Sequence, residues 1–150
     1  MGVQKEISDL VRQIVLERAI HQVYWIAAGG SYGGFYPANY FMQCESKTIS
    51  TYMITSKEFV LATPAKVSED ALCVVCSMRG TKETCDAAQV ARERGAYVLA
   101  LYVDESDLTK NCDAKIKYES IALDSSKTEK VNSSIGLCIA MTLVYEVEGY

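Results

Sequence analysis

The sequence carries one histidine, His21, among 150 residues, so an imidazole-based metal centre has a single ligand to draw on. It has no apolar run near the roughly 20 residues that cross a bilayer, and no membrane association is expected. Its first residues, MGVQKEISDLVRQ, are charged and hold no apolar signal core, and Glu6 stands where a myristoylation motif wants Ser or Thr. A cytoplasmic location is therefore the expectation. No basic cluster stands out from a net charge of −4, which argues against a nucleic-acid partner. A small anionic ligand remains compatible with that charge, because a few aimed N–H groups outweigh it locally. No Gly-Lys-Ser or Gly-Lys-Thr occurs, which excludes a Walker-type nucleotide cradle. No repeat, low-complexity tract or linker divides the chain, so residues 1–150 read as one domain.

What is present is the composition of a folded protein with a core, 49% hydrophobic and 23% charged. The six cysteines, Cys44, Cys73, Cys76, Cys85, Cys112 and Cys138, lack the small, loop-rich setting of a disulfide scaffold. Cys73 and Cys76 form a C-x-x-C, but inside the apolar run Ala71–Cys76, which reads as a buried strand rather than a redox turn or zinc knuckle. Reduced, structural thiols are expected, with no metal and no cofactor.

Helix-like and strand-like segments alternate. Apolar residues recur at three- and four-residue spacing from Glu6 to Ile20, predicting an amphipathic helix that His21 closes as a partner of its C-terminal dipole. Val23–Ala28 is a continuous apolar run ending in glycines, as in a buried parallel strand. Tyr32–Ser46 reads as a helix with Pro37 near its start, Ser50–Thr55 as a strand, and Ser56–Leu61 as a helical turn capped by Ser56. Ala71–Cys76, Tyr97–Val103 and Ala114–Tyr118 complete the strands, with a helix over Lys82–Arg94 closed by Gly95. Asp124–Ser134 is polar and loop-like, and Ile135–Glu148 is a helix with apolar residues on more than one face, which calls for a partner subunit or second domain. The pattern predicts an α/β protein: a three-layer α/β/α sandwich around a mainly five-stranded parallel sheet. Ligands of such sheets sit beyond the carboxyl ends of the strands, near the switch in strand order.

Two strand ends there carry turn chemistry suited to anions. The first is Ala27-Ala28-Gly29-Gly30-Ser31-Tyr32-Gly33-Gly34, whose glycines permit a sharp turn and close backbone approach while Ser31 adds a hydroxyl. Its glycines fall as G-G-x-x-G-G, which is not the dinucleotide fingerprint. The second is Ser77-Met78-Arg79-Gly80-Thr81-Lys82-Glu83-Thr84. It offers hydroxyls from Ser77, Thr81 and Thr84, freedom at Gly80, and positive charge from Arg79 and Lys82. A tight turn and a solvated loop with Thr81 as helix cap are the plain structural alternatives.

The run Val23–Tyr32, with Phe35-Tyr36-Pro37-Ala38 close behind, resembles the opening of the fructosamine-6-phosphate deglycase group of the sugar-isomerase (SIS) superfamily. The likeness extends from about Val23 to Val103 and returns weakly at Glu148-Gly149-Tyr150. It implies the flavodoxin-like SIS fold and a phosphosugar or ketosamine 6-phosphate held by Ser31, Ser77, Thr81 and Thr84, with Gly30 and Gly80 shaping the turns. It points more faintly to Ser133, in a segment where the family places sugar-contacting backbone. The family's second loop usually reads Ser-x-Ser or Ser-x-Lys, then Gly-x-Thr-x-Glu-Thr. This chain has Arg79 at the variable position and is one residue shorter after Gly80.

The resemblance also implies an acid–base pair, typically Glu and His, which the double-domain family keeps in its second half within a segment like Gly-Glu-Phe-x-His-Gly-Pro. Nothing like it occurs here, and Glu58 and Glu83 are isolated carboxylates. The expectation is the N-terminal half of a two-domain deglycase or aldose–ketose isomerase that holds substrate without transforming it. A homodimer, and a non-catalytic phosphosugar sensor, are the alternatives.

Overall fold

The computed structural model describes residues 2–118 and 132–149. In chain order the elements are α1 (Gly2–Glu17), β1 (Gln22–Ala27), α2 (Gly29–Gly33), α3 (Tyr36–Glu45), β2 (Ser50–Thr55), α4 (Ser56–Leu61), β3 (Ala71–Cys76), α5 (Lys82–Glu93), β4 (Tyr97–Tyr102), α6 (Asp107–Lys110), β5 (Ala114–Lys117) and α7 (Asn132–Glu148). All strand pairs are parallel, and the sheet order is β2-β1-β3-β4-β5. The chain steps to one side of β1 for β2 and to the other for β3, so the switch point lies between β1 and β3.

Burial explains the strand types. β1, β3 and β4 are buried at all six positions, because helices cover both faces of the central sheet. Val23, Trp25, Ala27, Leu72, Val74 and Cys76 join the core under α1, α3 and α7. Tyr24, Ile26, Cys73 and Val75 face the other layer, where α5 buries Ala87, Ala88 and Ala91. The predicted α/β/α sandwich with a five-stranded parallel sheet is thus the observed one. All six cysteines are free, and burial raises the pKa of Cys73, keeping it a thiol.

Several boundaries differ from the sequence reading, each for a local reason. The first helix ends at Glu17, and His21 lies beyond it with Nδ1 3.6 Å from Asp70 Oδ2 rather than on the helix dipole. The segment read as one helix over Tyr32–Ser46 splits into α2 and α3 at Gly34 and Phe35. Phe35 turns inward there, its ring 5.3 Å from that of Trp25, and Pro37 sits in the first turn of α3. Thr55, not Ser56, caps α4: its hydroxyl accepts from Glu58 N, while Ser56 is fully buried. α7 begins at Asn132, so Ser133 and Ser134 belong to its first turn, whereas residues 119–131 of the polar stretch lie outside the described residues.

α7 runs between α1 and α3 and buries Ile135, Ile139, Ala140, Leu143 and Val144, leaving Met141 and Tyr145 exposed. Its last residue, Glu148, accepts hydrogen bonds from Lys47 N at 2.9 Å, Ser46 Oγ at 2.5 Å and Thr48 N at 3.3 Å. Partial burial opposes ionisation, yet these donors outweigh it and hold the carboxyl below its ordinary range. A carboxyl with a lowered folded pKa stabilises above its unfolded value near ~4.3, and that contribution fades as pH falls through the folded value. Glu148→Gln is therefore expected to cost about 1 kcal/mol at neutral pH, or about 2–4 °C in Tm. The difference from the unaltered chain should shrink in melts run through pH 4 and below.

Candidate functional site

The two loops flanking the switch point leave the carboxyl ends of the neighbouring strands β1 and β3. At the first, Gly29 has φ +58°, a left-handed conformation that turns the chain out of β1 directly into α2. Gly30 and Ser31 follow within α2. The Tyr118 phenol lies within interaction range of both the Ser31 hydroxyl and Cys76 at the end of β3. Tyr118 is buried, and desolvation together with the neighbouring Cys76 pushes its phenol pKa well up, so it stays protonated beside the two strand ends.

At the second loop, Ser77 is 3% exposed and is tied by its own N–H to Leu101 O of β4. Its Oγ accepts from Gly80 N at 3.0 Å and Thr81 N at 2.9 Å. Met78 O accepts from Val103 N and Asp104 N, pinning the loop to the exit of β4. Gly80 has φ +76° and packs against Ser106, the N-cap of α6. A hydroxyl that accepts two N–H bonds has its lone pairs engaged and keeps one proton to donate.

The remaining expected residues divide into a rim and a support. Thr81 stands exposed at the N-cap position of α5, but its hydroxyl donates to Thr84 Oγ1 at 3.0 Å instead of capping. Thr84 is fully buried and lies 2.8 Å from Ser56 Oγ, so it sits behind Thr81. Arg79 pairs with Asp104 at 3.3 Å and Lys82 with Asp86 at 2.8 Å, both at the surface. Such exposed pairs are weak and screened by solvent, so a phosphate can compete for either cation. Ser133 lies in the turn of α7 that precedes Gly136, and a Cβ there would come within 3.3 Å of Phe35.

The histidine lies elsewhere, whereas Glu58 and Glu83, in the first turns of α4 and α5, stand at the carboxyl-end side of the sheet. His21 is at the amino end of β1, a six-residue strand of about 20 Å from the cradle. There it lines a cleft of about 610 Å³ with Glu17, Arg18, Glu69, Asp70 and Gly95. Glu83 is exposed in the first turn of α5, and Glu58 is engaged with Thr55. Sequence reading did not single out Tyr118, Ser56 or Ser106 for the site. Each enters through a contact distant in the chain, and only Ser106 carries a local signal, its capping box with Thr109.

No family model matches the chain. It is 34% identical over 104 residues to the fructosamine deglycase of Bacillus subtilis strain 168, covering 68% of this chain and 32% of that protein. A crystal structure of a protein assigned as a phosphosugar isomerase from Salmonella typhimurium LT2 superposes with a TM-score of 0.95 at 29% identity, over 100% of this chain and 46% of that one. A second such protein, from Bacillus subtilis, gives 0.84 at 27% identity, over 96% of this chain and 46% of that one. The fold, its switch point and these likenesses together define an SIS domain. The chain belongs to the sugar-isomerase superfamily and spans less than half the length of these relatives.

Proposed function

We propose that this chain is the phosphosugar-holding half of a fructosamine-6-phosphate deglycase or a related aldose–ketose phosphosugar isomerase. The observation that carries the reading is the Ser77 loop, whose Oγ gathers the Gly80 and Thr81 amides at the switch point of the sheet. After the neighbouring strand, the Gly29-Gly30-Ser31 turn supplies a second hydroxyl beside the buried Tyr118. Several converging, preorganised donors suit the three oxygens of a phosphate monoester, and the paired Arg79 and Lys82 add charge without fixing direction.

The parent reaction in this reading removes an amine from a 6-phosphorylated ketosamine, or interconverts aldose and ketose phosphates, by proton transfer at C1 and C2. That step needs an acid and a base within hydrogen-bond reach of the sugar. His21 stands at the opposite end of β1, and the reading assigns the acid–base pair to a second domain, linked to this one or contributed by another copy. The chain's span of under half of its relatives supports that division of labour.

Calorimetric titration of the purified chain with fructose 6-phosphate tests it. Binding is expected near about 1 mM or tighter, weakened about tenfold or more by Ser77→Ala, which removes that donor and strands two amides. Turnover by the isolated chain that vanished in His21→Ala or Glu83→Gln would overturn the assignment of chemistry to another domain. Phosphate density away from the Ser31 and Ser77 loops in a ligand-soaked crystal would overturn the site.

A further inference from the structure

We propose that Ser56, Thr84 and Thr81 form a reversible chain of three hydroxyls that turns the Thr81 proton outward when a phosphate arrives. The inference rests on the phosphosugar reading above and concerns how the rim of that cradle is aimed. Thr84 Oγ1 lies 3.0 Å from Thr81 Oγ1 and 2.8 Å from Ser56 Oγ, and either member of the Ser56–Thr84 pair can be the donor. Ser56 and Thr84 are fully buried, so no bulk water satisfies them, whereas Thr81 is exposed.

Each hydroxyl has one proton and two lone pairs, and that inventory permits two arrangements. In the structure Thr81 donates inward to Thr84. Thr81 then offers an anion only lone pairs, which repel it. In the reversed arrangement Ser56 donates to Thr84, Thr84 donates to Thr81, and Thr81 donates outward. The Ser56–Thr84 contact suits either donor, and the reversal asks the Thr84 hydroxyl to turn from accepting to donating toward Thr81, after which no buried hydroxyl of the chain is left without a partner. Aligned donors polarise one another, which makes Thr81 a stronger donor to phosphate than an isolated threonine at the surface. The bond from Thr84 also holds the Thr81 rotamer, whose freedom would otherwise be lost on binding. Ser56 and Thr84 are thus positioning residues, acting on the ligand through Thr81.

The test is fructose 6-phosphate titration of the full chain carrying Thr84→Val, which keeps shape but removes the hydroxyl, beside Thr84→Ser, which restores it. Thr84→Val is expected to weaken binding by about three- to tenfold, Ser56→Ala by about two- to threefold, and Thr84→Ser by less than twofold. In a Thr81→Val background, neither Thr84→Val nor Ser56→Ala should weaken binding further. Unchanged affinity in Thr84→Val, or a loss of the same size with and without Thr81, would overturn the chain while leaving the phosphosugar reading intact. An unaltered chain that binds no hexose 6-phosphate would overturn both. If Thr84→Val does not fold, Ser56→Ala in the two backgrounds separates the same outcomes.

Discussion

Gly80→Ala is expected to lower Tm by about 4–16 °C, corresponding to about 2–4 kcal/mol, and to weaken fructose 6-phosphate binding more than about tenfold. Two independent costs add at this position. Gly80 has φ +76°, which an L side chain adopts only under strain. An added Cβ would also run into Ser106, meeting its Oγ and lying 2.6 Å from its Cβ, while Cys85 Sγ closes the other side at 3.6 Å. Relief requires the loop to move, and the loop is what presents the Gly80 and Thr81 amides to Ser77 Oγ. Ser106 cannot withdraw freely, since its hydroxyl accepts from Leu108 N and starts α6. Adding Ser106→Gly removes the clash at a cost of a few tenths of a kcal/mol in capping, but leaves the strained φ. The double variant should therefore recover part of the stability and part of the affinity. Thermal melts and calorimetry of the two variants decide it; near-native Tm and affinity in Gly80→Ala would show that the loop shape is not what binds.

The central layers were legible in the sequence because their signal is local. Val23–Ala28, Ala71–Cys76 and Tyr97–Val103 are apolar at nearly every position, which only strands buried on both faces require, and they became β1, β3 and β4. Both anion-suited turns also announced themselves, since glycines and hydroxyls directly after a buried strand are chain-local chemistry. Their placement on either side of the switch point follows from the order β2-β1-β3. What stayed hidden depends on contacts across the fold. Ser56 read as a cap because it precedes an apolar run, yet Thr55 takes that role, and Ser56 turns inward toward Thr84, 28 positions away. Thr84 read as a ligand contact because it belongs to the hydroxyl-rich stretch after a buried strand and matches the family's loop pattern, but its side of α5 is the buried one, with Ala87, Ala88 and Ala91. Tyr118 follows the last edge strand, and nothing in its neighbours tells that its phenol reaches Ser31. His21 lost its helix when α1 stopped at Glu17 and gained Asp70 instead.

Trp25→Ala should be the most damaging single change in the core, at about 3–5 kcal/mol and a Tm lower by about 6–20 °C. Trp25 is fully buried in β1, and its ring packs against Phe35 at 5.3 Å, the residue at which α2 gives way to α3. Its Nε1 donates to Thr51 Oγ1 at 2.9 Å, and Thr51 donates to Asn39 Oδ1 at 2.7 Å. One side chain thus joins β1, β2 and α3 by packing and by a partly buried polar chain. Removing the ring leaves a cavity beside Phe35 and leaves Thr51 without its donor. Trp25→Phe separates the two terms: it keeps much of the packing and loses the hydrogen bond, so it should fall between Trp25→Ala and the unaltered chain. The functional consequence follows from position. Phe35 closes the segment that starts at Gly29, so a loosened Phe35 frees the Ser31 turn while the Ser77 loop, held by Leu101 and Met78, stays in place. Hydrogen exchange should therefore show faster opening of residues 29–36 in Trp25→Phe, with residues 77–81 unchanged. Equal acceleration in both loops would mean that the two halves of the cradle rest on one support rather than two.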